Sequence, residues 1–328
     1  MGKFESEIAE AVRASILQEI VKLNVLSLGN IFFVVDPSDT NFGKIVEKYG
    51  ESGRIFTDFS TAYAAVVSNN NDVIILGGNG THNFSAGIAW TKSRVNVIGM
   101  DGGGRAVQQG AKVQNATADT TAYLVKITGV RNSFRNVKFI QVSTDAAALT
   151  VMQEGGEGNY YEDCSFVFGV VDNLDQTDAY EVLAGSDSAT FKHCLFGTET
   201  LLTSAARTVF AIDQVTTSQE FKSNLLEDCV FVISSSSNGA VFVKPLANTD
   251  VLFTNLFKNC IFMASVDSAG GVAITNAVQS VTSLVKGTLN FYMPASFNCT
   301  NFCATVTANL MTYGPVTSVV AGEAGTPT

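Results

Sequence analysis

The chain has 328 residues, a formal net charge of −10 at pH 7 and only 15% charged residues. Proteins that bind nucleic acid neutralise phosphates with Lys and Arg, so this acidic balance argues against a nucleic-acid partner. The sequence has no apolar run long enough to span a bilayer, and no membrane association is predicted. Its first residues lack a basic start followed by an apolar stretch, so no signal peptide is predicted.

The first predicted element is an amphipathic helix over residues 5–24. Charged and polar residues lie opposite an apolar stripe made of Ile8, Val12, Ile16, Ile20 and Leu23. Two roles remain open for this helix: a cap over the end of a solenoid core, or an anchor into a neighbouring subunit. Together with a predicted strand at Asn30–Val35, it defines an N-terminal cap or anchor over residues 1–53.

A pattern of six residues recurs five times in the middle of the chain. Its order is a large apolar residue, a charged residue, then Asn, Asp or His, then Val or Cys, any residue, and Phe. The five units begin at residues 134, 161, 191, 226 and 257, so the steps between them are 27, 30, 35 and 31 residues. A repeat of this length is typical of a stacked, solenoid-like architecture.

Each repeat unit has the alternation of a strand. In the segment from Cys164 to Phe168, the first, third and fifth residues are apolar. The Asn, Asp or His position is predicted to be a tight bend, because these residues tolerate left-handed backbone angles. We therefore predict an all-β fold, a right-handed parallel β-helix over residues 54–312, with its coils about 4.8 Å apart.

Stacking the coils in register sorts the repeat into core columns. These columns are Phe134, Tyr161, Phe191, Leu226 and Phe257; Val137, Cys164, Cys194, Cys229 and Cys260; and Phe139, Phe166, Phe196, Phe231 and Phe262. Four of the six cysteines share a column with a valine, so they are interpreted as buried reduced thiols rather than disulfides. Cys299 and Cys303 are the only close pair and lack partners at zinc-ligand spacing, so neither a metal site nor a cofactor is predicted.

Two polar columns flank the predicted core. The bend position holds Asp163, His193, Asp228 and Asn259. These are interpreted as bend residues and not as a catalytic group, since no Ser or Cys nucleophile is expected beside them on the outer face. The neighbouring position alternates in charge and is predicted to stabilise the register of the coils through Glu162, Lys192, Glu227 and Lys258.

An acidic run between the second and third units is the best candidate for a functional site. It contains Asp172, Asp175, Asp178 and Glu181. Paired carboxylates could act as acid and base in glycoside cleavage, or they could hold calcium. The alternative is a solvated insertion that keeps the surface acidic. Because the run contains no Lys or Arg to act as a lyase base, the alternative is favoured.

The last part of the chain is less regular. The segment from Ser296 to Phe302 is interpreted as a degenerate sixth unit. Residues 313–328 are rich in Gly, Pro, Ser and Thr and are predicted to form an irregular tail.

Three features before and within the repeats carry a family resemblance. They are a short helix at Thr61–Val67, the segments "NDVIILGGNGTHNF" and "RVNVIGMDGGGR", and the five repeat units themselves. Over roughly residues 54–265 the chain resembles pectin-lyase-like right-handed β-helices. This superfold includes lyases, hydrolases and non-catalytic structural proteins, so the resemblance implies a fold and not a chemistry. The Gly-His-Gly and Arg-Ile-Lys elements of the family's polygalacturonases do not occur in this sequence.

The combination of "STAY", "DVIIL", "GNGTH" and "DGGGR" is also similar to β-helix proteins of tailed-phage virions. This narrower resemblance implies a non-enzymatic structural protein of the virion, attached to the capsid or the tail. It further implies a homo-oligomer, with a trimer favoured, and contacts from the N-terminal residues to other virion proteins such as the major capsid protein. A host surface glycan remains open as a ligand. The alternatives are a polysaccharide lyase or hydrolase acting as a depolymerase, and a glycan-binding β-helix.

Overall fold

The computed structural model describes most of the chain between residues 29 and 319. The described residues are 29–36, 47, 54–77, 80–100, 110–169, 179–202, 207–216, 220–246, 251–252, 254–266, 270–279, 288–303, 310–313 and 317–319. The predicted helix over residues 5–24 lies outside these ranges. Among the described residues, no helix has the length and apolar character needed to cross a membrane.

The described elements are one short helix and thirty strands. The helix α1 is Phe59–Ala65. The strands are β1 Ile31–Val34, β2 Ile55–Phe56, β3 Val73–Gly77, β4 Thr81–Phe84, β5 Ile88–Trp90, β6 Asn96–Met100, β7 Lys112–Asn115, β8 Tyr123–Ile127, β9 Ser133–Arg135, β10 Lys138–Gln141, β11 Thr150–Glu154, β12 Tyr160–Glu162, β13 Ser165–Phe168, β14 Tyr180–Ala184, β15 Thr190–Lys192, β16 Leu195–Leu202, β17 Thr208–Ile212, β18 Phe221–Lys222, β19 Leu225–Glu227, β20 Val230–Ser235, β21 Val241–Pro245, β22 Val251–Leu252, β23 Asn255–Lys258, β24 Ile261–Ser265, β25 Ile274–Val278, β26 Leu289–Tyr292, β27 Ala295–Phe297, β28 Cys299–Cys303, β29 Leu310–Tyr313 and β30 Thr317–Val319.

From β3 onward, the chain visits three long parallel sheets in turn. Sheet A has the order β2-β1-β3-β6-β9-β12-β15-β19-β23-β26-β29, sheet B runs from β4 to β30, and sheet C runs from β5 to β28. Each strand pairs with its counterpart in the preceding and following coils, while β18 and β22 form a small separate sheet. The predicted all-β, right-handed parallel β-helix is confirmed.

The bend between sheets A and B confirms the conformation expected from the repeat. Five equivalent residues, one in each unit, have φ between 52° and 54°; they are Asn136, Asp163, His193, Asp228 and Asn259. This left-handed region is costly for most side chains, and Asn, Asp and His are enriched in it. The bend therefore explains why each repeat unit carries one of these three residue types at its third position.

The predicted core columns are buried and in register. All fifteen side chains are 0% exposed, and adjacent rings stack with centroids 5.2 Å apart for Phe134 and Tyr161 and 4.8 Å apart for Phe196 and Phe231. None of the six cysteines forms a disulfide bond. In the cysteine column, each sulfur contacts a carbonyl oxygen of the preceding coil, as Cys194 Sγ does with Tyr161 O at 3.6 Å.

The corner between sheets C and A is built on a buried asparagine ladder. Asn159 Oδ1 accepts a hydrogen bond from Asn132 N at 2.7 Å, and Asn255 Oδ1 accepts one from Asn224 N at 2.9 Å. These four side chains are at most 1% exposed. Ala189 replaces the asparagine in one coil, but its backbone N–H still donates to Asn224 Oδ1 at 2.7 Å. The side-chain amides therefore satisfy backbone groups that turn inside the core.

The helix α1 lies over the first coils, and side-chain hydrogen bonds cap both of its ends. Asp58 Oδ1 accepts from Thr61 N at 2.8 Å at its start. At its end, Lys92 Nζ donates to the carbonyl oxygens of Tyr63, Ala64 and Val66. A cation at a helix C-terminus is favourable for both its hydrogen bonds and the helix dipole.

The structure corrects the position of the sixth repeat unit. Phe291 aligns with Phe257, and Ser296 aligns with Phe262, so this unit begins at residue 291 and not at Ser296. Met293 occupies the bend, with φ of 50°. The unit was missed because Met stands where Asn, Asp or His is expected, and Ser stands where Phe is expected.

Regular structure also extends beyond the predicted domain boundaries. Strand β1 lies in sheet A between β2 and β3, before the predicted start at residue 54. Strand β30 pairs with β27 in sheet B, within the segment predicted to be an irregular tail. The sequence predicts the strand at Asn30–Val35 but not its place in sheet A, and it does not predict β30, which lies outside the repeats.

Candidate functional site

The most chemically equipped surface is the corner between sheets A and B. We call its bend residues the bend row: Asn136, Asp163, His193, Asp228 and Asn259. His193 Nδ1 lies 3.6 Å from Asp163 Oδ1, and His193 Nε2 lies 3.6 Å from Asp228 Oδ2. These three side chains are 32–44% exposed. Both nitrogens of one imidazole therefore face carboxylates at a water-accessible edge.

The parallel register explains this alignment. In the strand register Glu162 is aligned with Lys192, and Lys192 with Glu227. The next residues along the chain, Asp163, His193 and Asp228, are therefore neighbours in successive coils. At the end of the row, Asn259 Nδ2 donates a hydrogen bond to Asp228 Oδ1 at 3.1 Å. The row is thus ordered by the same backbone pairing that builds the solenoid.

Beside the bend row runs a charge ladder, made of Arg135, Glu162, Lys192, Glu227 and Lys258. Arg135 Nη1 lies 3.2 Å from Glu162 Oε2, and Glu227 lies 3.9 Å from Lys192 Nζ and 2.6 Å from Lys258 Nζ. The hydrogen bond and charge of Glu227 raise the pKa of Lys258. The sequence predicted this alternation from Glu162 onward, and the structure adds Arg135 at its start.

The cysteines next to the bend row cannot serve it as nucleophiles. Cys164, Cys194 and Cys229 each follow a bend residue and are completely buried. Burial raises the pKa of the Cys194 thiol well above its usual range. A thiol held protonated inside the core is not a reactive thiolate, so a Cys–His pair is excluded at this row.

Of the predicted acidic candidates, only Glu181 lies in the described part of the chain; Asp172, Asp175 and Asp178 lie outside it. Glu181 is in β14, is 0% exposed and forms an ion pair with Arg207, which is 1% exposed. The Arg207 guanidinium lies 5.4 Å from the centre of the Phe168 ring. The expectation that Glu181 belongs to a solvated insertion is wrong, because a buried cation 26 positions later neutralises it.

A second buried carboxylate is Glu154, at the end of β11. Its Oε1 accepts hydrogen bonds from Gly156 N at 2.8 Å and Asn159 Nδ2 at 2.9 Å, and Tyr161 Oη donates to its Oε2. Burial raises the pKa of Glu154 to about 7, although the three hydrogen bonds act in the opposite direction. Burial and the charge of Glu154 raise the pKa of Tyr161 well above its usual range.

This pair is specific to one coil. The residues aligned with Glu154 are Ile127 and Ala184, and the residues aligned with Tyr161 are Phe134 and Phe191. The hydroxyl of Tyr161 and the carboxyl of Glu154 therefore occur as a pair, in place of apolar groups in the adjacent coils. Perturbed carboxyls often mark functional sites, but this one is 0% exposed and has no surface for a substrate.

The other histidine, His82, lies in β4 and is 1% exposed. Its Nε2 lies 3.1 Å from Gly77 O, and burial lowers its pKa. It is therefore a neutral core residue, and His193 is the histidine available at the surface.

Comparisons with known proteins support the fold. No protein-family model and no curated protein matches the sequence. The chain is similar to pectin methylesterase from Aspergillus niger, with a TM-score of 0.55, 11% identity, and coverage of 89% of this chain and 86% of that chain. It is also similar to pectin methylesterase from carrot, with a TM-score of 0.51, 13% identity, and coverage of 91% and 85%.

A chain of Geobacillus virus E2, ORF18, matches with a TM-score of 0.45 and 11% identity, covering 95% of this chain and 65% of that chain. That similarity is too weak to carry a functional inference. The similarities to the esterases establish the pectin-lyase-like right-handed β-helix as the fold of this protein. At such identities they establish nothing about its activity.

Proposed function

We propose that this chain is a structural protein of a tailed-phage virion, attached to the capsid or the tail. In this proposal the β-helix is a rigid assembly and surface element. One observation carries it: the polar side chains of the corner between sheets A and B face side chains of adjacent coils and pair with them. Ion pairs connect Arg135 to Glu162 and Glu227 to Lys258, and His193 lies between two carboxylates of adjacent coils.

The core supports the same role. The ring stack from Phe139 through Phe166, Phe196 and Phe231 to Phe262 has centroid separations of 4.8–5.4 Å. Each such pair contributes about 0.5–1.5 kcal/mol beyond its area burial. Such a continuous aromatic column, repeated on one axis, favours a stiff rod whose stability grows with each coil.

Assembly is the second part of the proposal. We take the functional form to be a homo-oligomer, with a trimer favoured, whose N-terminal residues bind other virion proteins such as the major capsid protein. The apolar residues Tyr292 (43% exposed), Met293 (48%) and Phe297 (38%) favour a contact at the last coils. Tyr292 aligns with Lys258 of the charge ladder, so polar columns become apolar there. The resemblance of the short segments "STAY", "DVIIL", "GNGTH" and "DGGGR" to those of virion β-helices favours this location.

The test is the location and assembly of the protein. Mass spectrometry and antibody labelling of purified particles should find the chain in the virion. Light scattering on the isolated full chain should give a mass above that of a monomer. A protein that is absent from particles and remains monomeric at high concentration would contradict the proposal.

A polysaccharide-modifying enzyme is the alternative. The observation that favours it is the exposed imidazole of His193 between Asp163 and Asp228, since such groups act as general acids and bases. Lyase, hydrolase and esterase assays on a panel of acidic and methyl-esterified polysaccharides test it. Turnover that disappears in His193→Asn, or in Asp175→Asn and Asp178→Asn of the acidic run, would establish the enzyme. Inertness across the panel would count against it.

A further inference from the structure

We propose that Glu162, Asp163 and His193 form a binding site for a divalent metal ion of the zinc class. The site joins two adjacent coils, and Asp228 orients the imidazole from the opposite side. One ligand atom from each of the three residues lies within 4.8 Å of the others. This proposal concerns a property that is separate from the assembly role.

The spacing of the ligand atoms fits a small metal ion. Asp163 Oδ1 and His193 Nδ1 are 3.6 Å apart. Tetrahedral zinc with bonds of about 2.0–2.1 Å holds its ligand atoms roughly 3.3 Å apart. Only a small side-chain rotation closes this difference, and the longer Glu162 side chain supplies the third ligand.

The position of Asp228 provides the orientation that a ligating imidazole requires. A metal-bound His almost always donates its other ring N–H to a carboxylate or carbonyl group. Asp228 Oδ2 lies 3.6 Å from His193 Nε2, and Asn259 Nδ2 holds the other oxygen of Asp228 at 3.1 Å. With the N–H on Nε2, Nδ1 is the ring atom left to bind a metal ion, and it lies 3.6 Å from Asp163 Oδ1.

Neighbouring charges favour the Asp163 side over the Asp228 side. Glu227, next to Asp228, is already paired with both Lys192 and Lys258. Glu162, next to Asp163, is paired with Arg135 at 3.2 Å, while the ammonium of Lys192, which aligns with both glutamates, lies at Glu227. Less positive charge therefore opposes an incoming dication beside Asp163.

The ligand set selects the class of metal. Imidazole nitrogen suits Zn²⁺, Co²⁺ and Ni²⁺, whereas Ca²⁺ requires six to eight oxygen ligands. Glu162 and Asp163 are 24% and 44% exposed, so a water molecule can complete four-coordination. Because the ligands come from two coils, bound metal stabilises their stacking by mass action.

The experiment uses the full chain without a histidine tag, treated with a chelator and then titrated with Zn²⁺ by calorimetry. Cys303, the one cysteine that is not buried, is replaced by Ser in every variant so that its thiol does not compete. We expect one equivalent of Zn²⁺ per chain, a visible Co²⁺ spectrum typical of tetrahedral coordination, and no comparable binding of Ca²⁺.

Three variants test the roles of the residues. His193→Asn should lose the bound equivalent, while its bend is preserved because Asn136 and Asn259 occupy the same backbone conformation. Asp228→Asn should weaken Zn²⁺ affinity about 10- to 100-fold, as expected for an outer partner of a ligating His. The control, Asp187→Asn, makes the same charge change at a carboxylate paired with Lys222 and should leave affinity unchanged.

Three results would overturn the proposal. The first is a parent protein without saturable Zn²⁺ binding. The second is unchanged affinity in His193→Asn. The third is an equal loss of affinity in Asp187→Asn, which would show that net charge, and not the site, attracts the metal.

Discussion

The two tight corners of the solenoid use left-handed backbone conformations in opposite environments. Between sheets A and B, the left-handed residue itself carries the polar group, as in Asp163 and His193, and its side chain is partly exposed. Between sheets C and A, the left-handed residues include Arg131 and Ser188, and the polar group of the corner is a buried neutral amide such as Asn224.

This difference shows that the two corners tolerate charged side chains to different degrees. At the outer corner water screens the side chains, so Asp, His and Asn can replace one another without loss of the bend. At the inner corner the buried amides of Asn159, Asn224 and Asn255 donate and accept at fixed atoms, and a charged replacement would be buried without a partner. The imidazole of His193 and the two carboxylates that face it therefore lie at the outer corner, where the candidate site lies.

The same substitution at both corners should give the largest contrast. Asn224→Asp removes the Nδ2–H that donates to Ser186 O at 2.9 Å and buries a carboxylate beside Asn255 Oδ1. We expect the free energy of unfolding to fall by about 3 kcal/mol or more. Chemical denaturation measures this change.

The matched control is Asn259→Asp at the outer corner. It keeps a residue type that tolerates the left-handed bend and only places a second carboxylate near Asp228. Its cost should stay below about 1 kcal/mol and shrink with added salt. Equal losses at the two positions would contradict the separation of the corners.

The buried Glu154 should make stability depend on pH in an unusual direction. Its folded-state pKa of about 7 exceeds the ordinary 4.5, so the folded protein holds a proton that the unfolded chain has released between these values. The stabilisation is complete below the unfolded pKa and is lost as the pH rises through the folded pKa, by roughly 3 kcal/mol in total.

Comparison with Glu154→Gln isolates this effect, because the remaining titrating groups are common to both proteins. The free energy of unfolding of the parent, relative to the variant, should decrease between about pH 5 and about pH 8. A difference that stays constant with pH, or rises, would show that Glu154 is ionised in the folded core throughout.

Tyr161→Phe should have a smaller effect, about 1–2 kcal/mol, because Phe already occupies the aligned positions and only the hydrogen bond to Glu154 is lost. In a Glu154→Ile background the same change should cost nothing, since the tyrosine hydroxyl would then be buried without a partner. A thermodynamic cycle over the four proteins measures this coupling. Additive effects would show that the hydroxyl of Tyr161 and the carboxyl of Glu154 do not stabilise each other in the core.

The smallest expected effect is at the charge ladder. Glu162→Gln removes the ion pair with Arg135, whose two side chains are 22% and 24% exposed. We expect a loss below about 1 kcal/mol that decreases at high salt. Thermal denaturation in low and high salt measures this loss of stability. A larger loss that does not depend on salt would show that the charge ladder stabilises the fold as strongly as the buried amides of the inner corner.

The fold could be predicted because the sequence of each coil repeats a recognisable pattern. Each bend residue, cysteine and phenylalanine recurs at the same place in its unit, so one unit explains the rest. The asparagine ladder carries the same signal: Asn132, Asn159, Asn224 and Asn255 each stand two positions before a unit, at the same steps. Extending the repeat by two residues would have revealed the inner corner.

The buried charges could not be predicted in this way. Glu154, Glu181 and Arg207 lie at or beside sheet C, which is separated from each unit by insertions of different length. Because the spacing between a repeat unit and its sheet C strand varies, residues of successive sheet C strands cannot be aligned from the sequence. The partner of a buried carboxylate therefore cannot be identified from the sequence. The outer pairing of Asp163, His193 and Asp228 was visible as a column, but its 3.6 Å geometry required the structure.

The buried cysteines give the molecule a built-in set of chemical reporters. Cys164, Cys194, Cys229 and Cys260 mark four successive coils, and each is inaccessible while its coil is stacked. In a solenoid, segments can open locally before the whole chain unfolds. The order in which these thiols are alkylated would therefore show, coil by coil, where the rod begins to come apart.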